Sequence, residues 1–349
     1  MTDSTDRRRV LVLAHEGFPD RAKTAVGLLR YGDHEVVGVL DREIAESDPD
    51  ARVSDYIADL TGERDAPIVG RADEAPAFDT LVVGVAPIGG GLNRSWRPDI
   101  RRAIESGADV WAGLHTLLNE DEEFARLAAE HGVELWDVRD PPEDLTVASG
   151  EAGETDATVV LTVGSDCSTG KMTTTVELYE AARERGWDAA FVPTGQTGVM
   201  VAGHGIVVDR TISDFTAGAT ERMVLDAAAD HDYVFVEGQG AITHPAYSTV
   251  TCGILHGAMP DAMVLCHETG REAVHGYESF PLAGPDTLVS LYEDLARPVH
   301  DGEVVAGALN TRHLDESAAE AAVTEFGESA GVPATDPVRF GVEEVLDSL

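Results

Sequence analysis

The sequence predicts a two-domain α/β protein: an N-terminal Rossmann-like domain followed by a P-loop NTPase-like domain built on a parallel sheet. Three observations predict it. Short β-branched apolar runs alternate with helix-length stretches, the pattern of parallel strands joined by helical crossovers. Residues 140–156 interrupt that pattern with Pro141-Pro142, Gly150, Gly153 and a cluster of acids. Residues 158–175 then place a buried-strand run, a small-residue loop and a helix start in immediate succession.

Taken in order, the first domain (1–140) carries expected strands at 10–14, 35–40, 67–69, 81–85, 109–111 and 133–136. Helices are expected at 20–31, 98–106 and 121–131, the first with Ala22, Ala25, Val26 and Leu29 on one face. Asp41 closes the second strand, where a dinucleotide-binding acid would sit. The loop after the first strand, His15-Glu16-Gly17-Phe18, lacks G-x-G-x-x-G, and Gly89-Gly90-Gly91 follows a later strand. NAD binding is therefore not predicted. After a linker at 141–156, the second domain (157–349) carries expected strands at 158–163, 189–192, 206–208, 233–236, 262–266 and 304–309. Its helices are expected from Lys171 onward and at 217–229, 249–257, 286–297, 315–326 and 342–349.

Composition narrows the function. The formal charge is −39 on 349 residues, from 64 acidic and 25 basic side chains, and only Lys23 and Lys171 among the basic residues are lysine. So acidic and lysine-poor a surface fits adaptation to high salt, a halophilic habit in which carboxylates keep the chain hydrated. It argues against nucleic acid as a partner, because phosphate backbones need basic patches. No stretch approaches the length of a membrane span. The apolar run behind Arg7-Arg8-Arg9 is too short for a signal peptide. Cys167, Cys252 and Cys266 are too few and too scattered for a disulfide framework or a paired-cysteine zinc site. A soluble, cytoplasmic protein is expected, with no bound metal.

Gly164 to Lys171 follows the apolar run 158–163 as a P-loop, an anion cradle of inward N–H groups, helix dipole and one mobile cation. It is irregular. Ser165 takes the first glycine position of G-x-x-x-x-G-K-[ST], and Met172 replaces the hydroxyl residue. The cofactor-binding candidates are Gly164, Ser165, Asp166, Ser168, Thr169, Gly170, Lys171, Met172 and Thr173, with Lys171 expected at a solvent-facing helix start. Ligands of doubly wound sheets sit at the carboxyl ends of strands. The other expected strand ends deliver Thr194 and Gln196, then Glu237, Gln239 and His244, then His267-Glu268, then Asn310-Thr311. Glu237 holds the position of an Mg²⁺- or water-binding acid. Cys167 is either an acyl-carrying thiolate stabilised by the helix start or a small packing residue. Lys23 and Arg30, seven residues apart, share one helix face and suit a carboxylate substrate.

These residues resemble a known family along nearly the whole chain. Gly-Ser-Asp-Cys-Ser-Thr-Gly-Lys-Met-Thr-Thr (164–174), Pro-Thr-Gly-Gln-Thr-Gly (193–198), Glu-Gly-Gln-Gly (237–240), His-Pro-Ala-Tyr (244–247), Leu-Cys-His-Glu (265–268) and Lys-Thr-Ala-Val-Gly-Leu-Leu-Arg-Tyr (23–31) carry the likeness. The family, long catalogued as a domain of unknown function, includes the DgcN-type D-glutamate N-acetyltransferases. The P-loop half is more distantly similar to dethiobiotin synthetase, departing at Met172 and in having Val192 where that family's second-strand motif has lysine. The resemblance implies transfer of acetyl from acetyl-CoA to the amino group of D-glutamate or a similar acidic amino acid, by a homodimer. It implies a substrate held by Lys23, Arg30, Thr194, Gln196 and Gln239, with Lys23 facing a cleft between the domains. The catalytic candidates are then Glu237 or His244 as base, with Cys167 and Lys23. The alternatives are an ATP- and Mg²⁺-dependent ligase using the P-loop conventionally, and a non-catalytic nucleotide-binding protein.

Overall fold

The structure, a computed structural model, describes residues 7–57, 60–85 and 90–349; Gly89 of the triple-glycine stretch lies outside them. The chain divides into two compact units, the residues up to Asp140 with Gln196–His204, and Pro141–Gly195 with Gly205–Leu349.

The first unit is built on β1 (Arg9–Leu13), α1 (Lys23–Tyr31), β2 (Glu35–Leu40), α2 (Arg42–Ser47), β3 (Ile68–Val69), β4 (Thr80–Val83), α3 (Arg97–Glu105), β5 (Asp109–Ala112), α4 (Glu122–His131) and β6 (Leu135–Asp137). Its sheet runs β3-β2-β1-β4-β5-β6, all parallel, which is the Rossmann order. β1 lies at the centre, and Val10 to Leu13 are fully buried, as a strand covered on both faces must be. Asp41 does not wait for a ribose. Its Oδ1 caps α2 by accepting from Glu43 N and Ile44 N, and its Oδ2 accepts from Gly17 N and Phe18 N in the loop after β1.

The second unit follows with β7 (Thr158–Gly164), α5 (Lys171–Glu184) and β8 (Ala189–Val192). The chain then gives α6 (Gln196–Ala202) to the first unit, where Thr197 Oγ1 lies 2.9 Å from Thr24 Oγ1 on α1. From sequence this stretch reads as a polar loop; Val199 and Met200 are fully buried, and that apolar content makes it a helix. The unit continues with α7 (Thr216–Ala228), β9 (Tyr233–Val236), α8 (Ser248–Ala258), β10 (Ala262–Glu268), β11 (Ala273–Val274), β12 (Tyr277–Pro281), α9 (Pro285–Ala296), β13 (Glu303–Asn310), α10 (Glu316–Ala330), β14 (Ala334–Thr335) and α11 (Glu343–Leu346). The strand expected at 206–208 is absent: Ile206 and Val208 bury into the core and a 3₁₀ turn, Val208–Arg210, follows. The antiparallel hairpin β11–β12 was not foreseen.

The sheet of the second unit runs β14-β13-β10-β7-β9-β8, again all parallel. Side-chain alternation splits its core in two. Val159, Leu161 and Val163 of β7 face α7, α8 and α9 through Val224, Leu255 and Tyr292. Val160 faces the opposite layer, formed by Leu178 and Ala182 of α5 with Val345 and Leu346 of α11. Residues 141–157 are folded onto this unit. Leu145, Ala152 and Ala157 enter its core, and the Glu221 carboxylate accepts from the N–H groups of Ser149, Gly150 and Glu151.

Candidate active site at the carboxyl end of β7

β7 ends in the loop that turns the chain into α5. Tyr292, fully buried on α9, fixes the strand end: its hydroxyl donates to Gly164 O at 2.7 Å and accepts from Ile242 N at 3.1 Å. Burial raises the phenol's pKa, so it stays a donor. Gly170 stands at the N-cap of α5 with φ 102°, a conformation that favours glycine, and no side chain caps the helix. The uncapped N–H groups and the dipole of a 14-residue helix therefore converge on the loop. Lys171 is not solvent-facing as expected. It is 7 % exposed, and its Nζ donates to Asp166 O at 2.8 Å and reaches Thr169 Oγ1 at 3.5 Å. The loop folds back over its own cation, and burial lowers the ammonium's pKa. An anion entering the loop would offset that desolvation.

Glu237 ends β9 beside the loop. A Cβ at Gly238 would lie 1.7 Å from the Thr162 carbonyl, so only glycine lets this corner pass so close to β7. The Glu237 carboxylate accepts from Thr194 N at 3.1 Å, Gly195 N at 3.0 Å and Gln239 Nε2 at 3.0 Å. Burial raises its pKa against those bonds and the Lys171 charge. Glu237, Thr194 and Gln239 are thus brought together, with the acid holding the turn after β8 in shape. Lys23, Arg30 and Gln196 belong to the first unit. Lys23 is exposed and Arg30 partly buried on α1, while Gln196 packs against Gly113, where a Cβ would lie 2.9 Å from Gln196 Cγ.

Asp166, fully buried, is the node of the loop. Its Oδ1 accepts from Cys167 N at 2.7 Å, and its Oδ2 accepts from Arg271 Nη1 at 2.8 Å and His275 N at 2.7 Å. Arg271 also donates to Cys167 O at 2.6 Å and pairs with Glu268, which Arg312 reaches from the end of β13. His244 Nδ1 accepts from Ala246 N at 3.1 Å, which places the proton of the neutral ring on Nε2. Burial lowers the pKa of His244, so it stands as a neutral N–H donor rather than a base. Asp166, Cys167 and His244 bring ligand-type atoms within 4.8 Å of one another. Their hydrogen bonds already commit the Asp166 oxygens and the imidazole Nδ1, so the trio acts as a hydrogen-bond node and makes a poor metal-ligand set. Ser165 Oγ lies 2.9 Å from His267 Nδ1, and Cys266 is buried, its thiol pushed up to about 11. Sequence reasoning missed Arg271, His275 and Tyr292. The one available signal was Thr-Gly-Arg directly after a strand end; Tyr292 sits mid-helix, 128 residues from its partner, and left none.

Comparison with known proteins gives the chain's family and relatives. A family model described as the DUF1611 C-terminal P-loop domain matches residues 146–346, and one described as the DUF1611 N-terminal Rossmann-like domain matches 50–141. A protein of Tritonibacter scottomollicae named D-glutamate N-acetyltransferase is 36% identical over 277 residues, 79% of this chain and 82% of its own. A Pseudoalteromonas protein of the same name is 36% identical over 273 residues, 77% of this chain and 81% of its own. The crystal structure of a DUF1611 family protein from Anabaena variabilis superposes with a TM-score of 0.91 at 37% identity, covering 98% of both chains.

Proposed function

The chain belongs to the DUF1611 family, and from that membership we propose that it is an N-acetyltransferase, moving acetyl from acetyl-CoA to the amino group of D-glutamate. The likeness to two D-glutamate N-acetyltransferases over more than three quarters of the chain carries the reading. The loop chemistry supports it. A conventional P-loop enzyme places a hydroxyl after the lysine to hold Mg²⁺, and Met172 stands there. Glu237, the acid that would complete the metal site, is taken up by two backbone N–H groups and Gln239. What remains is a cradle able to hold phosphates without hydrolysing them, which suits the diphosphate of coenzyme A.

The residues then divide the work. Lys171 and the uncapped start of α5 bind the donor's phosphates. The amino group attacks as the free amine; the new C–N bond forms as the C–S bond breaks, the thiolate leaves, and a proton is lost from nitrogen. Glu237, whose pKa burial raises, would take that proton on Oε1, the oxygen held only by Gln239. His244, fixed as an Nε2–H donor, is suited to steady developing oxyanion charge. Lys23 and Arg30 are the cations expected from the sequence to meet the substrate's carboxylates. The test is thiol release from acetyl-CoA in molar salt with D-glutamate, L-glutamate and D-aspartate, with the product identified by mass. D-glutamate should be acetylated fastest, without ATP or Mg²⁺. A chain that turns over ATP·Mg²⁺ and leaves acetyl-CoA intact would refute the reading in favour of a ligase.

A further inference from the structure

We propose that the exposed rings of Tyr247, Tyr277 and Phe280 form a stacking platform for the purine base of the acetyl donor; this rests on the reading above that the loop holds the donor's phosphates. Four rings run in a chain away from the loop. His244 and Tyr247 are 4.7 Å apart, His244 and Tyr277 5.2 Å, and Tyr277 and Phe280 6.3 Å between centroids. His244 is the buried ring between Tyr247 and Tyr277, whereas Tyr247, Tyr277 and Phe280 are 51 %, 39 % and 48 % exposed. Exposed rings gathered in this way form an apolar patch of the kind that marks a binding surface. Tyr277 and Phe280 belong to β12, a strand whose five residues are all exposed, so burial in a core is not what holds them there.

What holds them is the phosphate loop itself. Arg271 and the His275 N–H bind Asp166 Oδ2 immediately before β12, and Tyr277 meets the ring of His244 edge-on at 79°. On the other side, Gly240 has φ 62°, and a Cβ there would lie 3.0 Å from Tyr247 Cβ, so the corner after β9 is closed tightly against Tyr247. The rings therefore begin where the loop ends, on two elements fixed to it. Of the two reactants, an acidic amino acid has no flat face, while an adenine nucleotide carries a purine joined through ribose to the very phosphates the loop would hold. Stacking between base and aromatic ring is sequence-tolerant and needs no hydrogen-bond partner.

The test is equilibrium binding to the full chain, in molar salt, of coenzyme A and of 4′-phosphopantetheine, which lacks the adenosine, its 3′-phosphate and one phosphate of the diphosphate. The wild type should bind coenzyme A the more tightly. Tyr277→Ala, Phe280→Ala and Tyr247→Ala should each weaken coenzyme A about 10-fold and leave phosphopantetheine unchanged. Tyr277→Phe should restore wild-type affinity, since the ring and not the hydroxyl is used. Unchanged coenzyme A affinity in the three alanine variants overturns the platform, as does equal loss for both ligands, which would mean that the rings only brace the loop. A change in sedimentation without a change in coenzyme A affinity also overturns it, by making the rings a subunit interface. If the wild type binds neither ligand, the donor reading of the loop fails first and this site falls with it.

Discussion

Each unit has a central parallel strand that runs into a helix through a short loop, β1 into α1 and β7 into α5, and the two corners are finished differently. In the first, the buried Asp41 carboxylate accepts from Gly17 N at 3.3 Å and Phe18 N at 3.2 Å, and His15 Nε2 lies 3.1 Å from Asp99. The protein supplies its own anion to the backbone donors. In the second, Asp166 gives one oxygen to Cys167 N and turns the other to Arg271 and His275, and Lys171 is folded onto loop oxygens. On the proposed function, its remaining donors and its cation take the phosphates of the acetyl donor. On that reading, a strand–loop–helix corner is open to a ligand where its acid spends one oxygen on groups outside the loop.

That contrast can be broken by substitution. The largest effect is expected for Lys171→Ala, with kcat/KM for acetyl-CoA falling on the order of 100-fold and little change in Tm, because the ammonium it removes is desolvated. Next comes Asp41→Ala, which strips a cap and the acceptor of two loop N–H groups and should cost about 2–3 kcal/mol of stability by urea titration, with acetyl-donor affinity unchanged. Matching kinetic losses in these two variants would erase the distinction between the corners. Acid should reveal the second unit's buried imidazoles. Burial lowers the pKa of His244 and His267 from 6.5, so the unfolded chain takes up protons more readily. Their contribution is complete above 6.5 and is lost as pH falls toward the depressed native values. Tm in molar salt should drop between pH 7 and 5.5, and His267→Gln should flatten that slope; a steeper slope in the variant would count against it.

The next effect is smaller and lies on α1. In a chain with two lysines, Lys23 has been kept where arginine would serve for charge alone. Lys23→Arg should raise KM for the amino acid several-fold and leave coenzyme A affinity near wild type; unaltered kinetics would return Lys23 to an ordinary exposed helix position. The smallest effect is expected for Cys167→Ser. If Cys167 packs rather than carries acetyl, most turnover should survive, whereas near-complete loss with a burst-phase acyl-enzyme in the wild type would make it the nucleophile.

Sequence alone was sufficient for where most strands of the two sheets fall along the chain and for the loop after β7, because both are local signals. A β-branched run such as 158–163 has one comfortable conformation between helices, and Gly-Lys after such a run has few other uses. It also marked Glu237, Gln239 and His244 as strand-end residues, since chain position fixes which end of a parallel strand a residue occupies. What it left open was decided by partners distant in the chain. Lys171 is buried because the loop closes on it, and the proton of His244 is placed by the N–H of Ala246. Asp41 became a cap rather than a ribose ligand because the loop after β1 offered it two N–H groups. The hairpin β11–β12 has no apolar face of its own to announce it, and only its anchorage to Asp166, more than 100 residues earlier, gives it a place. A single sequence records what each residue prefers; which donor finds which acceptor across the fold is settled only when the sheet brings them within about 3 Å.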